Sequence, residues 1–243
     1  TLKDVLSVYD APFSHAYRKK YGVESALSQI ETYARLYPYA VEADIKSYFD
    51  DVPVDRLYSA IETTTRKTSM LPLIKDALSV ESQSSWKDEG ADEEDAVFGC
   101  NHKGIPQGSA VSPLLANFYL APFDAAMTVR GVRVVRYADD LVMFAKSRDE
   151  AVQSFEFARE ILGSMGLGIH PHGGADSKSK IRHLVREGID CLGYRIEQGK
   201  VLPGTKTLRR FRAEVEELTN SGTVGSGYRG APRGLREDSI VSR

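Results

Sequence analysis

The sequence has little cysteine and no long apolar run. Among its 243 residues only Cys100 and Cys191 are cysteines, and they lie far apart without the spacing of a zinc site. We therefore predict neither a disulfide framework nor a structural metal, and we expect a reducing, cytoplasmic setting. Because no stretch is long and apolar enough to span a bilayer and the N-terminus lacks a signal-peptide pattern, we expect no membrane partner.

A strong net charge is also missing, because the formal charge is only −2 at pH 7. Residues 81–95 nevertheless carry seven acidic side chains against one lysine, which predicts an exposed acidic insertion at about residues 80–98. The C-terminal part is basic, and a local basic face matters more for phosphate binding than the whole-chain sum. With 42% hydrophobic and 27% charged residues, the chain is typical of a globular protein that buries a core.

What the sequence does contain is a pair of adjacent aspartates between two strand-like runs. Residues 132–137 and 141–144 are rich in β-branched and aromatic side chains and flank Asp139 and Asp140. This pattern predicts a β-hairpin with two carboxylates at its tip. Like charges in a half-buried turn repel each other, and a bound divalent cation removes that cost. Taken alone, an ordinary exposed turn explains the two aspartates equally well.

The spacing of apolar residues predicts the elements around this hairpin. A strand over residues 39–46 carries Asp44 near its end. Ser112 is the predicted N-cap of a helix that runs towards Met127, and a capping box at residues 147–150 starts another helix. Further helices are predicted over residues 23–36, 53–65 and 205–218, and further strands over residues 167–170, 181–185, 191–196 and 200–202.

Five short motifs follow one another along the chain. They are Ala43-Asp44-Ile45-Lys46-Ser47-Tyr48-Phe49-Asp50, Ile105-Pro106-Gln107-Gly108 continuing through Ser112-Pro113-Leu114-Leu115-Ala116-Asn117, Tyr137-Ala138-Asp139-Asp140, Lys178-Ser179-Lys180-Ile181 and Leu192-Gly193-Tyr194. In this order they resemble the palm domain of reverse transcriptases, in particular the bacterial group II intron-like branch. The segment from Phe13 to Arg18 is similar to one that those enzymes carry shortly before the palm.

The resemblance implies an α+β fold, with an antiparallel sheet backed by helices, partial fingers and the start of a helical thumb. The implied domains are partial fingers over residues 1–38, the palm over 39–202, the start of the thumb over 203–219 and a flexible Gly/Arg-rich tail over 220–243. In this family a basic hairpin well before the palm holds the triphosphate, and Asp44 lies too close to Thr1 to leave room for it. We therefore expect a larger parent protein, or a partner domain or subunit that supplies fingers and thumb.

The implied activity is that of an RNA-directed DNA polymerase, which adds deoxynucleotides to a primer 3′-hydroxyl by two-metal-ion catalysis. In-line attack on a phosphate needs cations that meet the developing charge, and carboxylates from separate elements can hold them. By resemblance, two Mg²⁺ ions, or Mn²⁺ in their place, are held by Asp44, Asp139, Asp140 and the backbone carbonyl of Ile45. Lys178 would protonate or neutralise the leaving pyrophosphate, with Lys180 as a plausible substitute. A solvated surface lysine explains either residue equally well.

The resemblance also implies partners and further site residues. The partners are an RNA template, a DNA or RNA primer and deoxynucleoside triphosphates. Phe49 lies five positions after Asp44, where these enzymes place an aromatic ring that blocks a 2′-hydroxyl. The nucleotide-binding residues would be Tyr48, Phe49, Gln107 and Gly108, and the nucleic-acid-binding residues would be Arg18, Arg136, Tyr137, Gly193, Tyr194, Lys206, Arg209 and Arg210.

Three other functions are weighed against this one. An RNA-dependent RNA polymerase also uses a palm, but it usually has glycine before the aspartate pair and lacks the Pro-Gln-Gly loop. A cyclic-nucleotide synthase shares the metal chemistry and needs neither that loop nor a primer contact. A catalytically inactive RNA-binding scaffold would tolerate loss of a carboxylate, and all three are present here. The sequence leaves the parent system open between an intron maturase, a CRISPR-associated enzyme and a phage-defence enzyme.

Overall fold

The computed structural model describes residues 10–65, 68–79, 103–173, 177–197 and 199–220. The predicted acidic insertion at residues 80–98 and the predicted tail beyond residue 220 lie outside the described residues. The chain divides into two compact units, residues 1–204 and residues 205–243. Among the described residues, no helix is both long and apolar enough to cross a membrane.

The first unit combines seven α-helices and one short 3₁₀ helix (Thr68–Met70) with seven strands in the part of the chain that the structure describes. The helices are α1 (Val23–Leu36), α2 (Tyr48–Asp51), α3 (Val54–Thr64), α4 (Leu71–Leu78), α5 (Ser112–Tyr119), α6 (Ala121–Arg130) and α7 (Arg148–Ser164). The strands are β1 (Tyr39–Asp44), β2 (Arg133–Tyr137), β3 (Asp140–Ala145), β4 (Lys180–His183), β5 (Ile189–Cys191), β6 (Tyr194–Glu197) and β7 (Lys200–Pro203).

Four of these strands form an antiparallel sheet in the order β2-β3-β1-β4, and the other three form a small antiparallel sheet in the order β5-β6-β7. β1 pairs with β3 along its whole length, from Tyr39 opposite Ala145 to Asp44 opposite Asp140. The predicted hairpin is therefore present as β2 and β3, and β1 lies beside it with its aspartate at the same end.

The two faces of the large sheet are covered by different layers. Val41, Ala43 and Ile45 point to the helical side, where they join the main core with residues of α3, α5, α6 and α7. Ala40 and Val142 point to the other side and pack with α1 and the small sheet. Because both faces are buried over most of their length, β3 is a continuous apolar run rather than an alternating one.

Several local predictions differ from the structure. Ser112 begins α5 but is not its N-cap, because its hydroxyl donates to the carbonyl oxygen of Pro106 at 2.5 Å. The helix predicted to continue towards Met127 is interrupted at Leu120, since Pro122 has no N–H with which to extend the first helix. Residues 167–170 form only an isolated bridge, between Ile169 and Ile45, rather than a strand.

The strand predicted over residues 191–196 is instead the tip of a hairpin. Leu192 and Gly193 have φ angles of 51° and 82°, and Cys191 pairs with Tyr194 across them. Positive φ at both central residues is the geometry of a tight two-residue hairpin turn. The apolar run hides this turn, because Leu192 is not a residue that usually adopts it.

The described part of the second unit is helix α8 (Thr205–Asn220). Its large apolar residues recur at spacings of three and four, so they share one side of the helix. These residues are exposed: Leu208, Phe211, Val215 and Leu218. The predicted helix at residues 205–218 is therefore present and is two residues longer.

Candidate active site

Three carboxylates meet at one end of the four-stranded sheet. Asp44 ends β1 and stands directly opposite Asp140, the first residue of β3. Asp139 lies in the turn between β2 and β3, where Ala138 has a left-handed φ of 57°. The N–H of Ile45 donates to the carbonyl oxygen of Asp139 at 3.3 Å and so ties this turn to β1. The antiparallel register thus brings together acidic groups that are far apart in sequence.

A buried arginine holds the turn in this shape. Arg136 donates through Nε and Nη2 to the two carboxylate oxygens of Asp124, at 2.9 and 2.5 Å. Its Nη1 donates to Asn117 Oδ1 at 3.0 Å and to the carbonyl oxygen of Ala138 at 3.1 Å. The bond to Ala138 stabilises a backbone conformation that residues other than glycine rarely adopt. With 0% exposure, Arg136 shapes the turn from inside the protein.

The segment before α1 runs alongside β2, next to the same turn. The N–H of Arg136 donates to the carbonyl oxygen of Phe13 at 2.8 Å, and the N–H of His15 donates to that of Arg136 at 2.9 Å. Tyr17 follows with a φ of 60° and 47% exposure. Burial first, and then the charge of Asp139, raise the pKa of Tyr17. The phenol of Tyr17 therefore lies close enough to the site to interact electrostatically with the carboxylate of Asp139.

The carboxylates influence one another's protonation. Removal of water, followed by the charges of Asp139 and Asp44, raises the pKa of Asp140 to about 6. Burial and the charge of Asp44 also raise the pKa of Asp139. Lys178 acts in the opposite direction on both, and its Nζ lies 3.1 Å from Asp44 Oδ2. The site therefore concentrates negative charge, and one lysine partly offsets it.

This donor set suits a hard divalent cation. Carboxylate oxygens are the ligands that Mg²⁺ prefers, and a bound cation relieves the repulsion that raises these pKa values. In the ranges that the structure describes, no three His, Cys, Asp or Glu side chains already stand at metal-binding spacing. Instead Lys178 supplies positive charge at Asp44. The chemistry and position of Asp44, Asp139 and Asp140 fit a metal, with the side chains still to converge on it.

The Pro-Gln-Gly loop lies against the segment that follows β1. The N–H of Ile105 donates to the carbonyl oxygen of Phe49 at 2.7 Å, and Gln107 Nε2 donates to Asp50 Oδ1 at 3.0 Å. Gly108 has a φ of 90°, and open space surrounds the position that its side chain would take. Gln107 and Gly108 are exposed, whereas the ring of Phe49 is half-buried. One accessible surface therefore carries a glycine, an amide and part of an aromatic ring.

The turn of the β5–β6 hairpin faces the carboxylates from the other side. A small cavity of about 140 Å³ separates them, lined among others by Asp44, Asp140, Lys178, Cys191 and Leu192. A larger apolar cleft of about 730 Å³ lies between α3, α5 and α6, and none of the three site carboxylates lines it. Of these two cavities, the small one is therefore the one that gives access to the carboxylates.

A family profile identifies the family of proteins to which this chain belongs. The profile described as "Reverse transcriptase (RNA-dependent DNA polymerase)" matches residues 1–196. The chain belongs to the reverse transcriptase family. The order of the motifs and the position of the Asp139–Asp140 turn agree with this assignment, and the fold is that of a partial polymerase palm.

Curated relatives identify the branch of reverse transcriptases. The retron Ec86 reverse transcriptase of Escherichia coli is 31% identical over 123 residues, which is 49% of this chain and 37% of that protein. The group II intron-encoded protein LtrA of Lactococcus lactis subsp. cremoris is 30% identical over 121 residues, covering 49% of this chain and 18% of that protein. Protein YkfC of Escherichia coli is 27% identical over 194 residues, covering 65% and 46%.

The chain is a reverse transcriptase of the bacterial group II intron-like branch, and it spans between 18% and 46% of the length of these three relatives. Among solved structures, telomerase from Candida albicans, bound to a fragment of telomeric RNA, aligns with a TM-score of 0.59. That alignment has 13% sequence identity and covers 89% of this chain and 41% of the telomerase chain. At this identity the likeness shows the fold alone.

Three residues of the predicted reverse transcriptase site are placed differently by the structure. Arg136, predicted to bind nucleic acid, is fully buried against Asp124 and is a structural residue. Tyr48, predicted to bind nucleotide, is 2% exposed and donates its hydroxyl to the backbone of α5. Arg18, also predicted to bind nucleic acid, is paired with Asp10 at 3.1 Å, and its side chain is 15% exposed. Each of these polar groups is bound inside the chain, which gives all three residues a structural role, and their predicted contacts with nucleotide or nucleic acid stay predictions.

The other residues predicted to bind nucleic acid are at least partly accessible, and their roles stay predictions. Gly193 and Tyr194 are exposed at the β5–β6 hairpin, and Tyr137 is half-buried at the end of β2. The predicted phosphate-binding residues of the thumb lie on α8 in the second unit, where all three are exposed: Lys206, Arg209 and Arg210.

Sequence reasoning missed the residues that support the site from behind. Asn117 and Asp124 both bind Arg136, and both are nearly inaccessible. Their signal was available, because each is a polar residue within an otherwise apolar helical pattern. Tyr17 had no such signal, since its proximity to Asp139 depends on a backbone conformation that is visible only in three dimensions.

Proposed function

We propose that this chain is the palm of an RNA-directed DNA polymerase, which adds deoxynucleotides to the 3′-hydroxyl of a primer on an RNA template. One observation carries the proposal. Asp44, Asp139 and Asp140 gather at one end of the palm sheet, where burial first, and then the charges of neighbouring carboxylates, raise the pKa values of Asp139 and Asp140. Such a concentration of negative charge is the electrostatic setting that metal-assisted phosphoryl transfer needs.

In this proposal Asp44 and Asp139 hold two Mg²⁺ ions, or Mn²⁺ in their place, with Asp140 and the backbone carbonyl of Ile45 as further oxygen donors. When bound, the ions would activate the primer hydroxyl and stabilise charge on the leaving pyrophosphate. The chain contributes position, since the β1–β3 register sets Asp44 opposite Asp140 and Arg136 fixes the turn that carries Asp139. Positioning of this kind supplies a large part of the rate in phosphoryl transfer.

Lys178 has the reach to act on the leaving group. Its side chain is 65% exposed and its Nζ lies 3.1 Å from Asp44 Oδ2. If the carboxylate of Asp44 held a cation instead, the ammonium group of Lys178 would be free to face the pyrophosphate. There its Nζ would donate a proton or offset charge.

The accessible residues around the carboxylates are assigned to substrates. Phe49 would block a 2′-hydroxyl on the incoming nucleotide, while Gln107 and Gly108 line the same surface; their exposure and the open space at Gly108 support this. Gly193 and Tyr194, with Tyr137, would contact the primer end. The basic residues of α8 would bind backbone phosphates. We further propose that fingers and thumb from additional chain or a partner complete the enzyme, since the curated relatives are at least twice as long as the matched region.

Primer extension tests the proposal. The wild-type chain, within its parent protein where one exists, is given a primer on an RNA template with deoxynucleotides and Mg²⁺. The Asp139→Asn variant should lose incorporation while keeping its melting temperature. Asp76→Asn is the matched control, because Asp76 is an exposed aspartate on α4. Near-normal extension by Asp139→Asn would contradict the metal-site assignment.

A further inference from the structure

One buried carboxylate beside the site has no role in the chemistry proposed above. Glu42 lies on β1 two residues before Asp44 and therefore on the same face of the sheet. Its side chain is only 14% exposed. The apolar cluster around Ala40 lies on one side of it and the open site lies on the other. A carboxylate at this boundary is costly to bury unless it accepts hydrogen bonds.

The partner of Glu42 is a backbone group of the β5–β6 hairpin. Glu42 Oε1 accepts the N–H of Asp190 at 2.5 Å, and Oε2 lies 4.0 Å from Arg182 Nε. In the hairpin Cys191 pairs with Tyr194 across the turn. The alternation of an antiparallel ladder then points the N–H of Asp190 away from β6. Without Glu42, this N–H on the outer edge of the small sheet would lose the acceptor that β1 provides.

The bond lies next to the turn that faces the catalytic carboxylates. Asp190 is two residues before Leu192 and three before Gly193, whose positive φ angles form that turn. Further along, the N–H of Gly204 donates to the carbonyl oxygen of Gly193 at 2.9 Å. Both bonds hold the hairpin near its tip, and the one from Glu42 comes from the strand that carries Asp44.

We propose that Glu42 is a positioning residue, which holds the Leu192–Gly193 turn at a fixed distance from Asp44 and thereby aligns the primer end with the site. The proposal rests on the polymerase function proposed above. A hydrogen bond to a charged acceptor is about twice as strong as a neutral one, which suits a contact that sets distance. Because Glu42 and Asp44 both lie on β1, a hairpin bonded to Glu42 keeps its position relative to Asp44.

The test compares Glu42→Ala, which removes the acceptor, with Glu42→Gln, which keeps a neutral acceptor oxygen. Arg182→Gln is the matched control, because it removes the more distant charge and leaves the bond to Asp190 intact. Amide hydrogen exchange on the full chain should speed up about 10-fold or more at residues 190–193 in Glu42→Ala. Exchange in β1 and β3 should stay unchanged, and Glu42→Gln should recover most of the protection.

Binding and turnover then separate positioning from simple structural support. Fluorescence anisotropy should show Glu42→Ala binding a primer–template with a recessed 3′ end about 10-fold more weakly, with binding of the unprimed template unchanged. In extension assays its KM for primer–template should rise while its KM for nucleotide stays constant. Unchanged amide exchange at residues 190–193 in Glu42→Ala would overturn the proposal. Faster exchange with normal primer–template binding would also overturn it. So would an equal loss of primer–template binding in Glu42→Ala and Glu42→Gln. If wild type binds primer–template but extends nothing, the polymerase function fails, whereas exchange and binding still decide the role of Glu42.

Discussion

Two aspartates of the palm are paired with basic side chains, one inside the protein and one at its surface. Asp124 and Arg136 have side chains that are 2% and 0% exposed, and they meet through two parallel hydrogen bonds. Asp44 and Lys178 have side chains that are 22% and 65% exposed and share a single contact of 3.1 Å. The first pair supports the turn that carries Asp139, and the second lies in the site itself.

The difference shows that burial determines whether an ion pair supports the fold or stays available to a ligand. The buried pair is closed to solvent and ligands, so each charge depends on its partner. The exposed pair contributes little to stability, because water and salt screen it. In the proposed function Asp44 would therefore exchange Lys178 for a metal ion at small cost, whereas Asp124 and Arg136 would remain together.

The largest expected effect comes from breaking the buried pair. Asp124→Ala leaves the guanidinium of Arg136 buried without its counter-charge, which costs about 3–5 kcal/mol. Urea denaturation should show this as a loss in the free energy of unfolding. Asp149→Ala on the exposed first turn of α7 is the control and should change it by less than about 1 kcal/mol. A loss of similar size in both variants would remove the contrast between buried and exposed aspartates.

Breaking the exposed pair should affect activity rather than folding. Asp44→Asn removes a proposed metal ligand, and we expect primer extension to fall by roughly 10²–10³-fold, as for the loss of a strong electrostatic contact to the transition state. The free energy of unfolding should change by less than about 1 kcal/mol. Steady-state extension and urea denaturation on the same preparation measure both. A strongly destabilised Asp44→Asn protein would show that this pair, too, is structural.

Asp140, which stands opposite Asp44, should make both stability and metal affinity depend on pH. The pKa of Asp140 is raised to about 6 by removal of water and by the charges of Asp139 and Asp44. The folded, metal-free chain thus holds a proton more tightly than the unfolded chain, so this group's contribution to stability falls as pH rises from about 4 to above 6. Mg²⁺ competes with that proton, and its affinity should fall up to about tenfold per pH unit below 6. Calorimetric titration with Mg²⁺ at pH 8 and pH 5 measures this affinity. Equal affinities at the two pH values would contradict the prediction.

Two neighbouring aromatic residues repeat the contrast without charge. Tyr48 is buried and bonded to α5, whereas Phe49 is half-buried beside it, with ring centroids 5.6 Å apart. Phe49→Ala should relax the exclusion of ribonucleotides by roughly tenfold, because in the proposed function the clash of the ring with a 2′-hydroxyl is the discriminating contact. Primer extension with each sugar type measures the ratio of kcat/KM values. An unchanged ratio would mean that Phe49 is only a packing residue.

The smallest effect is expected for the surface partner of Asp44. Lys178→Met keeps the aliphatic stem and removes the charge, so the free energy of unfolding should change by less than about 1 kcal/mol. If Lys178 Nζ acts on the leaving pyrophosphate, kcat should fall while the KM for primer–template stays constant. Lys146→Met is the control, because Lys146 is an exposed lysine just after the end of β3 that lies away from Asp140. Equal kcat in both variants would leave Lys178 as a surface lysine.

Much of the fold could be read from local pattern because its elements have strong periodicity. Helix α1 has the predicted bounds, and the hairpin of β2 and β3 appears with its two aspartates at the tip. The single predicted strand over residues 191–196 was wrong, because a turn made by Leu192 carries no composition signal. The spacing of apolar residues along the chain predicts helices and strands, but it says little about where a residue adopts an unusual φ angle.

The sequence by itself determined the order of the motifs, the acidic residues at strand ends and hence the family. Only the tertiary structure decided which polar groups face the site and which face the core. Asp44 meets Lys178 across 134 positions of chain, and Glu42 meets Asp190 across 148. Arg136 stands one residue before a site motif, yet it points inward, because α5 and α6 offer it buried acceptors in Asn117 and Asp124. A side chain's partner depends on packing between distant segments, and the neighbouring residues in the sequence do not encode that choice.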